Sequence, residues 1–179
     1  MSRVRIVGGE WKRRFVTFHD APGLRPTPDA VRETLFNWLG QDLTGLACLD
    51  LFAGSGVLGF EAASRGAAHV TLVERDPRIF ATLRDNAAAL GAERLELIRA
   101  DALKFLPRAS RRYDLLFLDP PYHQGWIERV EPRLPGVLAA DARIYAEAEH
   151  PIERLGAWET VRSGSSGQVY YHLLEALQA

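Results

Sequence analysis

Residues 119–122 read Asp-Pro-Pro-Tyr and follow at once on the apolar run Leu115 to Leu118. Two prolines fix the backbone there and remove two N–H donors, so the Pro120 carbonyl can be aimed outward as an acceptor beside the Asp119 carboxylate. A lip that only accepts hydrogen bonds suits an exocyclic amino group, whose two hydrogens go to Asp119 and Pro120. The nitrogen of such a group is conjugated with its ring and weakly nucleophilic. Orienting its lone pair toward an electrophile is therefore most of the catalysis, with Asp119 also placed to receive the proton. Tyr122 supplies a flat face for the ring, worth about 1–3 kcal/mol for an unpaired base, and Pro121 lies in the same contact. The structural alternative is a strand stopped by prolines, with the tyrosine in the core.

An electrophile has to be held beside that lip, and residues 49–62, LDLFAGSGVLGFEA, are the place for it. Gly54, Gly56 and Gly59 are spaced as G-x-G-x-x-G between an expected strand and an expected helix, where missing side chains let the backbone turn sharply and approach a ligand closely. The candidate cofactor loop is Phe52, Ala53, Gly54, Ser55 and Gly56. Glu74, with Arg75 beside it, ends the next strand, where a carboxylate can accept from both hydroxyls of a ribose. A nicotinamide dinucleotide fits these features as well. Asp50 separates the two ligands: it would repel a pyrophosphate brought to this loop but welcome a ligand that carries an ammonium and a sulfonium. S-adenosylmethionine is such a ligand, and its methyl is an electrophile. Asp101, after the third strand, can accept from an adenine amino group while the Ala102 amide addresses the ring. Taken alone, Asp101 reads equally well as a helix N-cap.

These residues need a scaffold that brings strand ends together. Apolar runs alternate with amphipathic stretches from residue 46 onward, which predicts an α/β fold with a mostly parallel sheet and helices on both faces. Residues 46–52, 69–74, 95–100, 113–119 and 142–149 are the expected strands, most of them too apolar to have a wet face. Asp76 and Pro77 start a helix whose inner face is Ile79, Leu83, Ala87 and Leu90, and Gly91 closes it. Thr27 and Pro28 repeat that start signal before a helix with Val31, Leu35 and Trp38 on one face. Residues 158–176 hold two strand-like runs around a Gly and Ser turn, so a closing antiparallel hairpin is expected. In such a sheet ligands bind beyond the carboxyl ends of the strands, which sets Asp119 beside the glycine loop.

Composition narrows the classes further. The chain has 179 residues, 47% hydrophobic and 25% charged, the balance of one soluble globular domain. A net charge of -1 excludes a uniformly basic surface but allows a basic patch. The single cysteine, Cys48, lies in an apolar run, so no disulfide framework is expected and no metal. Neither a signal peptide nor a membrane span is visible, so a cytoplasmic location is expected.

With these residues assembled, the sequence resembles the class I S-adenosylmethionine-dependent methyltransferases, which share a Rossmann-like fold, and more narrowly the ribosomal RNA small subunit methyltransferase D family. The likeness covers nearly the whole chain: RIVGGEWKRR, RPTPDAVRETLFNWL, LDLFAGSGVLGFEAASRGA, VERD and LDPPY. It implies a seven-strand sheet whose last pair is the expected hairpin, and an activity, methylation of the N2 amino group of a guanine in 16S ribosomal RNA. The LDPPY motif is shared with adenine N6, cytosine N4 and protein glutamine methyltransferases, so adenine N6 methylation of DNA is the alternative, with a nicotinamide oxidoreductase more remote. Many amino-group methyltransferases have Asn where this chain has Asp119.

Residues 1–24 form a basic arm, part of the same domain as the methyltransferase region 25–179. Arg3, Arg5, Lys12, Arg13 and Arg14 face Glu10 alone in its first fourteen residues, and Gly8 with Gly9 look like a hairpin turn. Such a ribbon could neutralise RNA phosphates while Trp11 or Phe15 meets a base. The resemblance adds Arg25, Thr27 and Arg32 as RNA substrate contacts near the cofactor mouth, with Glu33 beside them. On this reading the partner is 16S ribosomal RNA, in an assembling small subunit, and the chain works as a monomer with no membrane contact.

Overall fold

The computed structural model describes residues 1–178. In chain order its elements are β1 (Ser2–Arg5), β2 (Phe15–Phe18), α1 (Asp29–Leu39), β3 (Ala47–Asp50), α2 (Val57–Ser64), β4 (His69–Glu74), α3 (Pro77–Leu90) and β5 (Leu95–Arg99). There follow α4 (Ala102–Phe105), β6 (Tyr113–Leu118), α5 (Trp126–Val130), β7 (Leu138–Ala148), β8 (Arg154–Leu155), β9 (Trp158–Ser166) and β10 (Val169–Ala176). The main sheet runs β5-β4-β3-β6-β7-β10-β9-β8, parallel from β5 to β7 and antiparallel thereafter. It holds the seven expected strands and one more, the two-residue β8 at the edge. The order reverses beside β3, whose neighbours are β4 and β6, and this is where an open sheet leaves a crevice.

Strand period assigns the faces. Cys48 and its neighbours Leu115, Phe117 and Tyr145 pack under Leu35 and Phe36 of α1, Phe60 of α2 and Leu83 of α3. Leu49, Leu116, Leu118 and Ile144 point the other way, onto Phe105, Trp126, Ile127 and Val130. Both faces of the central strands are covered, which is why those strands read as continuous apolar runs. The edge strand β5 is the exception to that reading, since each of its residues is half-buried or exposed. In α3 the expected cap is present: the Asp76 side chain accepts from the Arg78 and Ile79 amides, and Gly91 ends the helix at φ 65°. Gly167, at φ 62°, turns β9 into β10.

The amino-terminal arm departs from the sequence expectation. β1 and β2 pair with Ser2 opposite Phe18 and Arg5 opposite Phe15, so the hairpin turn is not at Gly8 and Gly9 but spans the whole of residues 6–14. The two glycines serve a close approach instead. A Cβ on Gly9 would lie 2.0 Å from the Ser64 carbonyl oxygen, and its φ is 77°. The Glu10 amide donates to that carbonyl at 2.7 Å and the Trp11 amide to the Ser64 hydroxyl at 2.9 Å. Trp11, expected to meet a base, is 7% exposed and belongs to the core with Ile6 and Val16. On the other side Asn86 of α3 exchanges hydrogen bonds with the Thr17 backbone. The arm is therefore packed into the domain along α2 and α3.

Arg32, expected at the RNA surface, is 0% exposed. Its Nη1 donates to Glu61 Oε1 at 2.6 Å and to the Arg5 carbonyl at 2.8 Å, its Nε donates to the Thr27 carbonyl at 3.0 Å, and its Nη2 pairs with Asp29. Glu61, also fully buried, accepts in addition from the Val7 amide and from Arg65 Nε. Burial lowers the Arg32 pKa, and the charges of Glu61 and Asp29 oppose that shift. One planar fork thus joins β1, the segment before α1, α1 itself and α2, which a lysine could not do. Replacing Arg32 by Met, or Glu61 by Leu, should each cost about 3–5 kcal/mol in urea unfolding, because each strips a fully buried charge of its fully buried partner. The double variant should cost clearly less than the two losses added, and additive losses would show that the pair is not coupled.

Candidate active site

Four expected acids stand at successive strand ends, and the sheet order sets them in a row: Asp101 after β5, Glu74 ending β4, Asp50 ending β3 and Asp119 just past β6. A fifth continues it. Glu147, the second-to-last residue of β7, is 5% exposed and follows Ala146, the partner of Leu118 across the β6–β7 pair. It therefore lies beside Asp119 on the same sheet face, as does Asp50, whose register partner is Phe117.

The glycine loop is built to leave this row open. Gly54 (φ 55°) and Gly56 (φ 81°) hold left-handed conformations, and Gly56 begins α2. A Cβ on Gly59 would press on Leu72 at 2.8 Å and come within 3.3 Å of Asp50 Oδ2, to which the Gly59 amide donates at 3.1 Å. The Ala53 amide bonds to the Val73 carbonyl, and the Ser55 hydroxyl accepts from the Val57 amide at the helix start. Glu74 accepts from the Gly54 amide at 3.1 Å and from the Asp76 amide at 2.9 Å, which fixes its carboxylate at the rim. Asp101 caps α4 through one oxygen, accepting from the Leu103 and Lys104 amides, while its other oxygen is 3.9 Å from Arg75. Ala102 is buried just inside that cap. Phe52 meets Trp126 edge-on at 5.3 Å, closing one wall. Opposite, Leu24 lies over the loop, 2.9 Å from where a Gly54 Cβ would be.

Burial governs the electrostatics. It pushes Asp50 up to about 7 against the pull of the Gly59 amide, with Glu74 and Glu147 adding to the rise. Asp119 lies well above the ordinary carboxyl range, through burial first and then Glu147 and Asp50. Glu147 is raised by burial and drawn back by the Thr27 hydroxyl, which donates to it. Tyr122 is raised by burial and by Asp119, Glu147 and Glu149. Pro120 is buried, Pro121 is exposed and Tyr122 is half-buried, so the turn presents its ring at the mouth rather than in the core. A crevice with this much buried negative charge fits a ligand that brings cations, and a pyrophosphate would be repelled there.

Thr27 was expected to start a helix and to meet substrate. It is 3% exposed, and its hydroxyl is spent on Glu147, so α1 has no side-chain cap. Of the expected arm contacts, Arg3, Arg5, Lys12, Arg13, Arg14 and Arg25 are exposed. Arg3 sits over the Phe15 ring at 4.1 Å, Arg5 pairs with Asp29 at 3.1 Å, and Arg14 donates to the Ala89 carbonyl. Glu33 is not at the crevice but lines a groove with Gly8, Gly9 and Arg65 at the far end of α2. Glu147 went unnoticed in the sequence, although an acid inside the run IYAEA carries the same signal as Asp50 inside LDL.

A family model described as "Conserved hypothetical protein 95" matches residues 4–175. The ribosomal RNA small subunit methyltransferase D of Escherichia coli K12 is 42% identical, over 97% of this chain and 90% of its own length. The protein of the same name from Haemophilus influenzae is 39% identical, over 97% of this chain and 94% of its own. A solved structure of a putative methyltransferase from Escherichia coli superposes with a TM-score of 0.88 at 39% identity, covering 99% of this chain and 100% of that one.

Because the ligand-free site stores buried acids, its stability depends on pH in a defined direction. A carboxyl raised by folding favours the native state below its unfolded value, and that contribution is lost as pH rises through the folded value. For Asp50 the window runs from 3.8 to about 7. Asp50→Asn keeps an acceptor for the Gly59 amide and removes the charge. Thermal unfolding without ligand should therefore show the variant gaining on the parent as pH goes from 5 to 8, and a constant difference would contradict the assignment. Fold, row of acids and near-full-length relatives agree, and the chain belongs to the ribosomal RNA small subunit methyltransferase D family.

Proposed function

We propose that this chain transfers a methyl group from S-adenosylmethionine to the N2 amino group of a guanine in 16S ribosomal RNA. The observation that carries the reading is the row of carboxylates that runs through the acceptor lip of Asp119 and Pro120, beside a glycine loop made for a nucleoside ligand. Asp50 faces the cationic end of the cofactor, with Phe52, Ala53, Gly54, Ser55 and Gly56 forming its bed. Glu74 and Arg75 address the ribose, and Asp101 with the Ala102 amide addresses the adenine. The cofactor supplies an electrophilic methyl on a cationic sulfur.

The rest of the chemistry belongs to the chain. Asp119 and the Pro120 carbonyl accept the two amino hydrogens and so turn the nitrogen lone pair out of the ring plane, toward the glycine loop. Tyr122 stacks on the base and Pro121 packs beside it. Asp119 and Tyr122 are half-buried, so a base stacked there covers the lip from water and the orienting hydrogen bonds are not traded for solvent. The exposed Arg3, Arg5, Lys12, Arg13, Arg14 and Arg25 meet RNA phosphates, acting as scattered charges on a packed arm rather than as a mobile ribbon. A monomer acting in the cytoplasm on an assembling small subunit completes the reading; no helix among the described residues is long and apolar enough to cross a membrane.

Nucleoside mapping of 16S RNA from cells without the gene, and after its return, tests the substrate. One N2-methylguanine should vanish and reappear; a change in N6-methyladenine would instead favour the adenine alternative. Asp119→Ala should lower the rate of methyl transfer by about 100-fold or more, on the scale of general acid–base groups. Wild-type rates in that variant would remove Asp119 from the mechanism. Reversing several arm arginines to glutamate should weaken RNA binding at low salt and flatten its salt dependence, while cofactor binding by calorimetry stays unchanged.

A further inference from the structure

The acceptor lip has a neighbour that the proposed reaction has not yet used. Glu147 is the residue after Ala146, where the β6–β7 register ends opposite Leu118, which sets it beside Asp119 on the same face of the sheet. The surrounding groups are Asp50 from β3, Glu74 from β4, Tyr122 after β6, Tyr145 and Glu149 on and after β7, and Tyr171, the register partner of Glu147 on β10. From the segment before α1 comes the Thr27 hydroxyl, itself held because Arg32 grips the Thr27 carbonyl. Among the described residues no Lys, Arg or His pairs with Asp119 or Glu147. The Tyr145 hydroxyl is the one buried side-chain polar atom among the described residues without a hydrogen-bond partner, and it lies two residues before Glu147 on the same face.

Resting on the methyltransferase reading, we propose that Asp119 and Glu147 form a dyad that holds a single proton, in which Glu147 is a positioning residue that keeps the charge and Asp119 keeps the proton. Glu147 is buried and Asp119 is half-buried at the lip, and two adjacent carboxyls placed so, with no cation between them, resist ionising together at neutral pH. The donors decide between them. Thr27 donates to Glu147, and Tyr145 is placed to do so, whereas Asp119 receives no hydrogen bond from any described residue. Burial of both groups acts in the same direction.

A protonated Asp119 is a neutral planar group with one C=O acceptor, the shape and charge of an asparagine amide. It still holds one amino hydrogen, with the Pro120 carbonyl taking the other. After the carbon–nitrogen bond forms and the sulfur keeps the electron pair of the broken carbon–sulfur bond, the amino nitrogen carries one proton too many. That proton passes to the Asp119 carbonyl oxygen, the N–H electron pair returns to nitrogen, and the Asp119 hydroxyl proton moves to Glu147. The dyad is then doubly protonated and neutral, and after the products leave it gives one proton to water and returns to its singly protonated state. A positive ligand and a negative dyad are thus discharged together, and no isolated charge is left buried.

Carboxyl 13C titration of the ligand-free protein, labelled at Asp and Glu, tests the dyad without any turnover. Asp119 should titrate well above an ordinary aspartate, and Glu147→Gln should move its midpoint down by more than one pH unit. Thr27→Val removes the donor from Glu147 and should shift the proton toward it, again lowering the Asp119 midpoint, in a variant that keeps the Glu147 side chain. An Asp119 midpoint unchanged in both variants overturns the proposal. In methyl-transfer assays the pH–rate profile of Glu147→Gln should move along the pH axis; a uniform loss at every pH would mark Glu147 as merely structural. If no RNA is methylated by the parent, the functional reading fails, while the titration still decides whether the two carboxyls share a proton.

Discussion

The Arg32–Glu61 pair is the interaction on which the arrangement depends. Two opposite charges at 2.6 Å, both sealed from water, would be costly if either stood alone. They are tolerated because each is paired and hydrogen-bonded further, to Asp29, Arg65, the Val7 amide, the Arg5 carbonyl and the Thr27 carbonyl. The consequence is mechanical. The arm, the segment before α1 and two helices are fixed to one guanidinium, and that segment carries Thr27 and Leu24 to the edge of the crevice.

A second constraint runs the other way. The sheet brings five carboxyl side chains to adjacent strand ends, and burial makes Asp50, Asp119 and Glu147 reluctant to ionise. Such a row weakens the free protein as pH rises, so its presence is a stability sacrifice in favour of binding. The helix–sheet packing on both faces supplies the rigidity that keeps these groups from relaxing into solvent. The proposed chemistry needs that rigidity, since its main demand is the direction of one lone pair.

Local rules were enough for much of the fold. The α3 helix followed from Asp76, Pro77 and Gly91 because capping is decided within four residues. The closing hairpin and the parallel strands followed from alternation and apolar runs. The reading failed where a local signal was outbid by a distant partner. Thr27 looked like a helix start, but its hydroxyl is used 120 residues away on Glu147. Gly8 and Gly9 looked like a tight turn, but the approach of α2 is what excludes a side chain there. Trp11 looked like a substrate contact because a ring in a basic arm suggests RNA, and Arg32 because the resemblance put it near the cofactor mouth, and nothing in their sequence neighbours reveals that both are buried.

The sequence by itself determined the fold class, the glycine loop, the acids that end four strands and the proline-stopped lip, because each depends on residues close together in the chain. Only the tertiary structure decided that the basic arm is packed and that Arg32 is a buried hub. It also decided that Glu147 stands beside Asp119. Register between β6 and β7 joins residues nearly thirty positions apart, and the charge state of one carboxyl is set by the other across that gap. Proximity of that kind is a property of the packed sheet, and no local pattern of residue types encodes it.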